Sequence, residues 1–166
     1  MKMVFRLVLV GLVIALAFWA RSVFFPSPQA EIQRRLLKVA QLVSFGANEG
    51  NIARVAAVQQ LGTFFAESLE VQLDDPRLQN HTFSRREELL QAALAARTAI
   101  ASLQAKFLDI NVNLGPEPDT ATADLTLAAK LSTETDQVFQ QLRFSLRKVE
   151  GKWVINRITA TKTLTP

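Results

Sequence analysis

The stretch FSLRKVEGKWVINRI, residues 144–158, alternates apolar and polar side chains on both sides of a short break. Phe144 and Leu146 are apolar before the break, and Trp153 and Ile155 are apolar after it. A period of two is typical of a strand that buries one face, and the tripeptide EGK between the two halves is typical of a turn. We therefore predict two long antiparallel strands joined by a tight turn.

The same period of two continues toward the N-terminus from this hairpin. Alternating segments cover residues 102–114, 121–131, 137–149 and 153–163, and they are separated by short breaks rich in proline, glycine, threonine and acidic residues. Short connections between long alternating strands predict an antiparallel meander that is polar on one face and packed on helices on the other. The alternation slips at Phe107-Leu108, and this slip predicts a β-bulge.

The residues before 102 follow helical spacing instead. One apolar stripe runs from Ile32 to Val43 and a second covers residues 52–65. Gly62 lies inside the second stripe, where glycine costs about 1 kcal/mol relative to alanine, so it predicts a close approach by another element. Residues 68–74 alternate like a strand, and residues 84–87 match a capping box that opens a third helix.

The order of these elements and two segments resemble the nuclear transport factor two-like (SnoaL-like) superfamily. FSRREEL, residues 83–89, is similar to the capped start of the family's third helix. Residues 144–158 are similar to its closing hairpin, which often carries glycine-lysine-tryptophan. The resemblance covers residues 30–166 and implies an α+β fold, in which three helices pack on a curved antiparallel sheet to form a cone with an open end.

The resemblance implies several classes of function, because the superfamily includes isomerases, dehydratases, cyclases, transport adaptors and non-catalytic assembly domains. Its isomerases typically combine a tyrosine with a carboxylate base. This chain has no tyrosine and one histidine, His81, which we expect in a surface loop. Asp109 is the candidate catalytic base, because it interrupts an apolar strand at the phase slip; the alternative is an outward-pointing residue at a bulge.

Two further sets of residues are candidates for binding. Aromatic side chains at helical and strand spacing either line a ligand pocket or belong to the core, and these are Phe64, Phe65, Phe107 and Trp153. Basic side chains on the polar face of the meander either bind a partner or a second copy of the chain, or form an ordinary solvated face. These are Arg143, Arg147 and Arg157.

The N-terminal segment contains fourteen consecutive residues without a polar side chain, LVLVGLVIALAFWA at 7–20, preceded by Lys2 and Arg6. We predict a transmembrane anchor over residues 1–25, with the apolar span of 7–25 in the bilayer and the N-terminus in the cytoplasm. A linker, FPSPQ, ends at residue 29, and the domain at 30–166 follows on the extracytoplasmic side. The alternatives are a signal peptide cleaved after the A-x-A motif at 15–17, which would leave a secreted or periplasmic domain, and a buried soluble helix.

Composition narrows the remaining classes of function. The net charge is +4, and the first 29 residues hold three basic and no acidic residues, so the domain is nearly neutral and nucleic-acid binding is not expected. No cysteine is present, so disulfides and lipoprotein attachment are excluded, and we expect no metal site and no cofactor. We predict a single-pass protein of the inner or plasma membrane, whose non-catalytic domain binds a protein partner or forms a homodimer through its sheet. The alternative is a small-molecule pocket, either a carrier or a minimal lyase or isomerase.

Overall fold

The computed structural model describes residues 27–72, 82–132 and 137–164. Within these ranges the chain forms helices α1 to α3 and strands β1 to β6. Their bounds, in chain order, are Pro28–Val43 (α1), Asn51–Gly62 (α2), Phe65–Gln72 (β1), Thr82–Arg85 (β2), Arg86–Ala99 (α3), Leu103–Leu114 (β3), Thr120–Leu131 (β4), Val138–Val149 (β5) and Lys152–Leu164 (β6).

The six described strands form one curved sheet in the order β2-β1-β6-β5-β4-β3; helices α1 and α3 pack on it, and α2 packs mainly against these two helices. The predicted α+β class and the four-stranded meander β3-β4-β5-β6 are therefore confirmed. The sheet is not purely antiparallel as predicted, because β1 pairs with β6 in parallel. A meander adds each strand beside the previous one, whereas β1 joins the far side of the sheet from a distant part of the chain.

The hairpin predicted within residues 144–158 forms between β5 and β6. Val149 and Lys152 are paired residues of β5 and β6, so the loop between them holds two residues, Glu150 and Gly151. Both have positive φ angles, 50° and 77°. Positive φ at both central residues is the requirement of the turn that best matches the twist of the flanking strands, and glycine adopts it without steric cost.

Helix α1 begins and ends at residues that satisfy its free backbone groups. The Ser27 hydroxyl accepts a hydrogen bond from the Ala30 N–H at 3.3 Å, and Pro28 needs no partner at the first helical position. At the other end the Ser44 hydroxyl donates to the Ala40 carbonyl at 2.8 Å. The predicted stripe is confirmed, because Ile32, Leu36, Val39 and Leu42 are buried.

The prediction for the second stripe is wrong in two respects. Helix α2 ends at Gly62, so Phe64 lies in a turn and Phe65 in β1. Only the second half of α2 is covered, because Ile52 is 88% exposed and Val55 is 45% exposed, whereas Val58 and Leu61 are buried. The close approach at Gly62 is confirmed, since a Cβ there would lie 2.9 Å from Cδ1 of Leu90 on α3.

The predicted start of the third helix is also corrected. Ser84 lies in strand β2, and α3 begins at Arg86, with Arg85 as an N-cap that makes no side-chain capping bond. Pairing of β2 with β1, at Val71 and Phe83 among others, holds these residues extended and delays the helix. Glu88, not Glu87, accepts a hydrogen bond from the Ser84 N–H at 3.0 Å, so one half of the predicted reciprocal capping is made by the next residue.

The predicted bulge in β3 is confirmed. Pairing between β3 and β4 shifts between Leu108 and Asn111, and Asp109, within the shifted segment, has a φ of 52°. No helix of the described residues is long and apolar enough to cross a membrane. The apolar run at 7–20 and His81 both lie outside the described residues.

Candidate binding site on the outer face of the sheet

The two faces of the sheet differ in chemistry. The inner face, which packs on the helices, carries buried apolar side chains from four strands, including Leu125, Phe144, Trp153 and Ile155. The residues that alternate with them point to the outer face and are polar. Paired positions there cross the sheet from Asn113 through Thr122 and Ser145 to Arg157 and Glu70. This alternation follows from the period of two along each strand.

Arg143 on β5 is committed to a neighbour on the outer face. Its Nε donates a hydrogen bond of 2.6 Å to Oδ1 of Asp124, which is its paired residue on β4. The hydrogen bond and the negative charge of Asp124 together raise the pKa of Arg143 above its ordinary value. The pair is open to solvent, so it fixes the direction of the guanidinium more than it stabilises the fold.

Arg157 on β6 is committed in the same way. Its Nε and Nη2 lie 2.8 Å and 2.7 Å from Oε2 of Glu70, its paired residue on β1. The second oxygen of Glu70 accepts a hydrogen bond from the Gln72 side chain at 2.5 Å. Both oxygens of Glu70 are thus engaged by groups of the chain itself.

Arg147 differs from these two arginines. It lies four residues after Arg143 on β5, on the same face, and its side chain is exposed. Among the described residues it makes no hydrogen bond and no ion pair. The outer face therefore carries one predicted interaction residue whose guanidinium is uncommitted to any described group.

Arg147 lines a recess with a volume of about 370 Å³, which crosses strands β2, β1, β6 and β5. This volume lies at the lower end of the range for small-ligand pockets. Leu69, which is fully buried, closes part of its base. The polar lining residues are Ser68, Glu70, Ser84, Arg147, Asn156 and Arg157.

Three breaks in strand pairing surround this recess. The register shifts between Phe65 and Glu70 where β1 meets β6, and between Ser68 and Val71 where β1 meets β2. It shifts again between Ser145 and Leu146 where β5 meets β6. Bulges bend a strand and redirect its side chains, and they are frequent beside functional sites. The recess is thus a consequence of irregular pairing at the point where the sheet changes from antiparallel to parallel.

Asn156 is the extra residue of the break between β5 and β6. Its neighbours Ile155 and Arg157 pair with Leu146 and Ser145, which leaves Asn156 without a paired residue. Its Oδ1 has less than 1 Å² of accessible surface and no hydrogen-bond partner among the described residues. Buried polar atoms are nearly always hydrogen-bonded, so this acceptor calls for an explanation.

Comparisons with solved structures identify the architecture. A scytalone dehydratase-like protein from Novosphingobium aromaticivorans superposes with a TM-score of 0.61 at 15% identity, over 82% of this chain and 83% of that one. An uncharacterised protein with a cystatin-like fold from Caulobacter vibrioides gives 0.63 at 15% identity, over 82% and 89%. A nuclear transport factor two-like protein of unknown function from Pseudomonas putida gives 0.61 at 12% identity, over 83% and 96%.

This chain has the nuclear transport factor two-like cone fold. No protein-family model matches the sequence, and no curated protein matches it either. Identities of this size establish the fold alone, so the function has to be argued from the residues of this chain.

The four aromatic candidates lie at the core of the cone. Phe65 is buried and Trp153 is 1% exposed, and both belong to the central apolar cluster. Phe64 and Phe107 are half-buried and pack against that cluster. Phe107 meets Phe144 edge to face, with ring centroids 5.6 Å apart, and the Arg35 guanidinium lies 4.7 Å above the Phe64 ring. Whether these rings also contact a ligand stays a prediction.

Arg35 links the first two helices of the cone. It donates to the Thr63 carbonyl at 3.3 Å in addition to its contact with Phe64. Burial of its guanidinium lowers the pKa of Arg35 from its ordinary value, and the nearby Glu31 opposes that shift. Asp109 lies apart from all of these groups, exposed at the β3 bulge. Its role as a base stays a prediction.

The three arginines are predictable from the sequence, but the recess that Arg147 and Arg157 line is not. Ser68 and Glu70 occupy alternate positions of the segment predicted as a strand, so their outward direction was readable from the period. The contributions of Ser84 and Asn156 depend on β2 and on the break beside Asn156, and neither leaves a clear local signal in the sequence.

Proposed function

We propose that this chain is a membrane-tethered binding or assembly domain, which meets its partner through the outer face of the sheet on the extracytoplasmic side. The observation that carries the proposal is the uncommitted guanidinium of Arg147, exposed at the rim of a polar recess. Arginine is favoured at interfaces because its planar fork binds carboxylates and its charge is permanent.

The packing of the inner face supports a binding role over a catalytic one. The buried inner-face side chains are apolar apart from the indole Nε1 of Trp153, which has no described hydrogen-bond partner, and Arg97 is the single buried charged residue among those described. Arg97 is already engaged by Glu49 and by the Leu42 carbonyl. An active site of this fold would need two or more polar groups converging inside the cone.

The position of the first helix limits the length of the proposed tether. Helix α1 begins at Pro28, only a few residues after the predicted anchor at 1–25. Extended chain spans at most about 3.6 Å per residue, so such a short connection would hold the domain close to the bilayer. A partner in or beside the same membrane, or a second copy of the chain, would then meet the outer face at a high local concentration.

Photocrosslinking in intact membranes tests this proposal. A photoreactive amino acid at Asn113, exposed on the outer face, is expected to give specific crosslinked products. The matched control is Gln59, exposed on α2. The mass of the product separates a homodimer from a complex with another protein. Equal crosslinking from both positions, or none from Asn113, would refute the proposed interface.

A soluble form whose first 25 residues are replaced by a cleavable signal peptide tests the tether separately. We expect it to lose the crosslinks from position 113, because the local concentration falls when the domain diffuses freely. Full retention of those crosslinks would mean that the binding face acts without a tether.

A small-molecule pocket within the cone is the second candidate. Phe107, Ile110 and Val112 on β3 pack against the core but stay half-buried, so this side of the cone is not fully covered by described residues. Native mass spectrometry of the full-length chain released from detergent would reveal a bound compound. If the chain carries such a compound and loses it when Phe107 is replaced with aspartate, the result would favour a carrier function.

A further inference from the structure

We propose that the recess around Arg147 binds a carboxylate that has an N–H or O–H donor next to it. This proposal rests on the proposed function, because it names the chemical group that a partner offers to the outer face. Three properties of the recess support it: its charge, its unpaired acceptor and its size.

The charged groups that line the recess leave one positive charge without a partner. Glu70 neutralises Arg157, and both of its oxygens already accept hydrogen bonds. The Arg147 guanidinium is the remaining charge among the described lining residues. A single carboxylate would neutralise it, and the fork of an arginine suits the two oxygens of a carboxylate. The Ser68 and Ser84 hydroxyls of the same recess can each donate a further hydrogen bond to an anion.

The unpaired acceptor indicates what stands beside the carboxylate. Oδ1 of Asn156 has no described donor, and an amide oxygen left unsatisfied costs free energy that a ligand N–H or O–H would recover. Oδ1 has less than 1 Å² of accessible surface, so a ligand in the recess reaches it only after the amide rotates about its terminal torsion, which has a broad minimum. A ligand with both groups would therefore be held at two points, by Arg147 and by Asn156.

The volume limits the size of the ligand. About 370 Å³ accommodates a group of amino-acid size. A carboxylate next to a donor could come from either of two sources: a small free acid, or an acidic side chain of a partner protein.

Nuclear magnetic resonance titration of the ¹⁵N-labelled full-length chain in detergent micelles tests the proposal. The probe is N-acetylglycine, which joins one carboxylate to one N–H. We expect saturable shifts of the Asn156 side-chain amide, the Ser84 backbone amide and the Arg147 Nε–H signals. N-acetylglycinamide, which lacks the charge, is expected to bind at least about tenfold more weakly, because a hydrogen bond to a charged group contributes the larger part of the affinity.

Two variants of the same strand supply the decisive comparison. Arg147→Gln is expected to weaken binding of N-acetylglycine at least about tenfold, whereas Arg143→Gln is expected to change the Kd less than twofold, because Arg143 is held by Asp124. Asn156→Leu is expected to weaken the binding of N-acetylglycine but to leave unchanged the binding of acetate, which has no N–H. Absence of saturable shifts, equal binding of the neutral amide, or equal losses in the two arginine variants would overturn the proposal.

A blocked tripeptide with glutamate between two alanines separates the two sources. Binding as tight as that of N-acetylglycine would assign the recess to an acidic side chain of a protein partner, and binding only of the free acid would assign it to a small molecule. The readout is independent of the crosslinking experiment. Crosslinks from Asn113 without carboxylate binding would refute this inference alone, and carboxylate binding without crosslinks would refute the proposed protein interface alone.

Discussion

Arg97, in the last turn of α3, forms a buried ion pair with Glu49 in the loop between α1 and α2. The Arg97 side chain is almost completely buried, and it also donates to the Leu42 carbonyl near the end of α1 and lies 4.9 Å above the Phe45 ring. One guanidinium therefore joins the end of α1, the following loop and α3. It satisfies a carbonyl at the helix end that has no partner within the helix.

We expect Arg97→Met to destabilise the domain by about 3–5 kcal/mol, because the substitution leaves the Glu49 carboxylate and the Leu42 carbonyl without their partner. Urea unfolding followed by circular dichroism measures this change. The control is Arg86→Met at the surface pair of Arg86 and Glu87, which is expected to cost less than about 1 kcal/mol. Similar losses of stability in both variants would mean that the buried ion pair of Arg97 contributes no more to stability than the surface pair does.

Gly115, at the end of β3, provides a second test of packing. A Cβ at this position would collide with the side-chain oxygen of Thr120 and would lie 3.2 Å from its carbonyl oxygen. The Thr120 hydroxyl cannot turn away without losing its hydrogen bond of 3.0 Å to the Glu117 carbonyl. We therefore expect Gly115→Ala to destabilise the domain by about 1–3 kcal/mol in the same unfolding measurement.

Gly46→Ala is the matched control for this variant. A Cβ at Gly46 would meet no atom within 4 Å, so alanine there is expected to be neutral or slightly stabilising. A loss at Gly46 as large as that at Gly115 would contradict the packing argument and indicate a backbone effect at both positions.

The sequence predicts the meander well because its signals are local. The alternation of Phe144 and Leu146 and the glycine after Glu150 determine a hairpin without reference to the rest of the chain. Strand β2 was missed because four residues are too few for a period, and the serine of a capping signature falls within them. The exposure of Ile52 was missed because a helical stripe does not tell which half of the helix is covered. Asn156 joins the recess through pairing across four strands, which no local pattern encodes.

The ion pair of Arg157 and Glu70 allows a prediction about the outer face as a whole. Their side chains are 55% and 39% exposed, so the pair is screened by water despite its short distances. We expect a double-mutant cycle of Arg157→Gln and Glu70→Gln to give a coupling below about 1 kcal/mol, falling further in 1 M salt. Unfolding midpoints of the four proteins provide the measurement.

A small coupling matters for the binding experiments. A small coupling, together with unfolding midpoints of the single variants close to that of the unsubstituted protein, would mean that these outer-face substitutions leave the fold intact, so that a loss of binding reports on the recess itself. A coupling of several kcal/mol would instead assign these residues to the stability of the sheet, and would remove them from the proposed interface.

Substitutions of Asp109 can distinguish a residue that only forms the bulge from a catalytic carboxylate. Its φ of 52° is a left-handed conformation, which costs an ordinary residue roughly 1–2 kcal/mol and costs glycine nothing. We therefore expect Asp109→Gly to match or exceed the stability of the unsubstituted protein, and Asp109→Ala to be less stable than Asp109→Gly by about 1 kcal/mol. Equal stabilities of the glycine and alanine variants would contradict the positive φ. If native mass spectrometry of the full-length chain identified a bound compound, turnover of that compound could be measured in both variants. Equal loss of turnover in the two variants would assign a catalytic role to Asp109. Unchanged turnover would mean that Asp109 only forms the bulge.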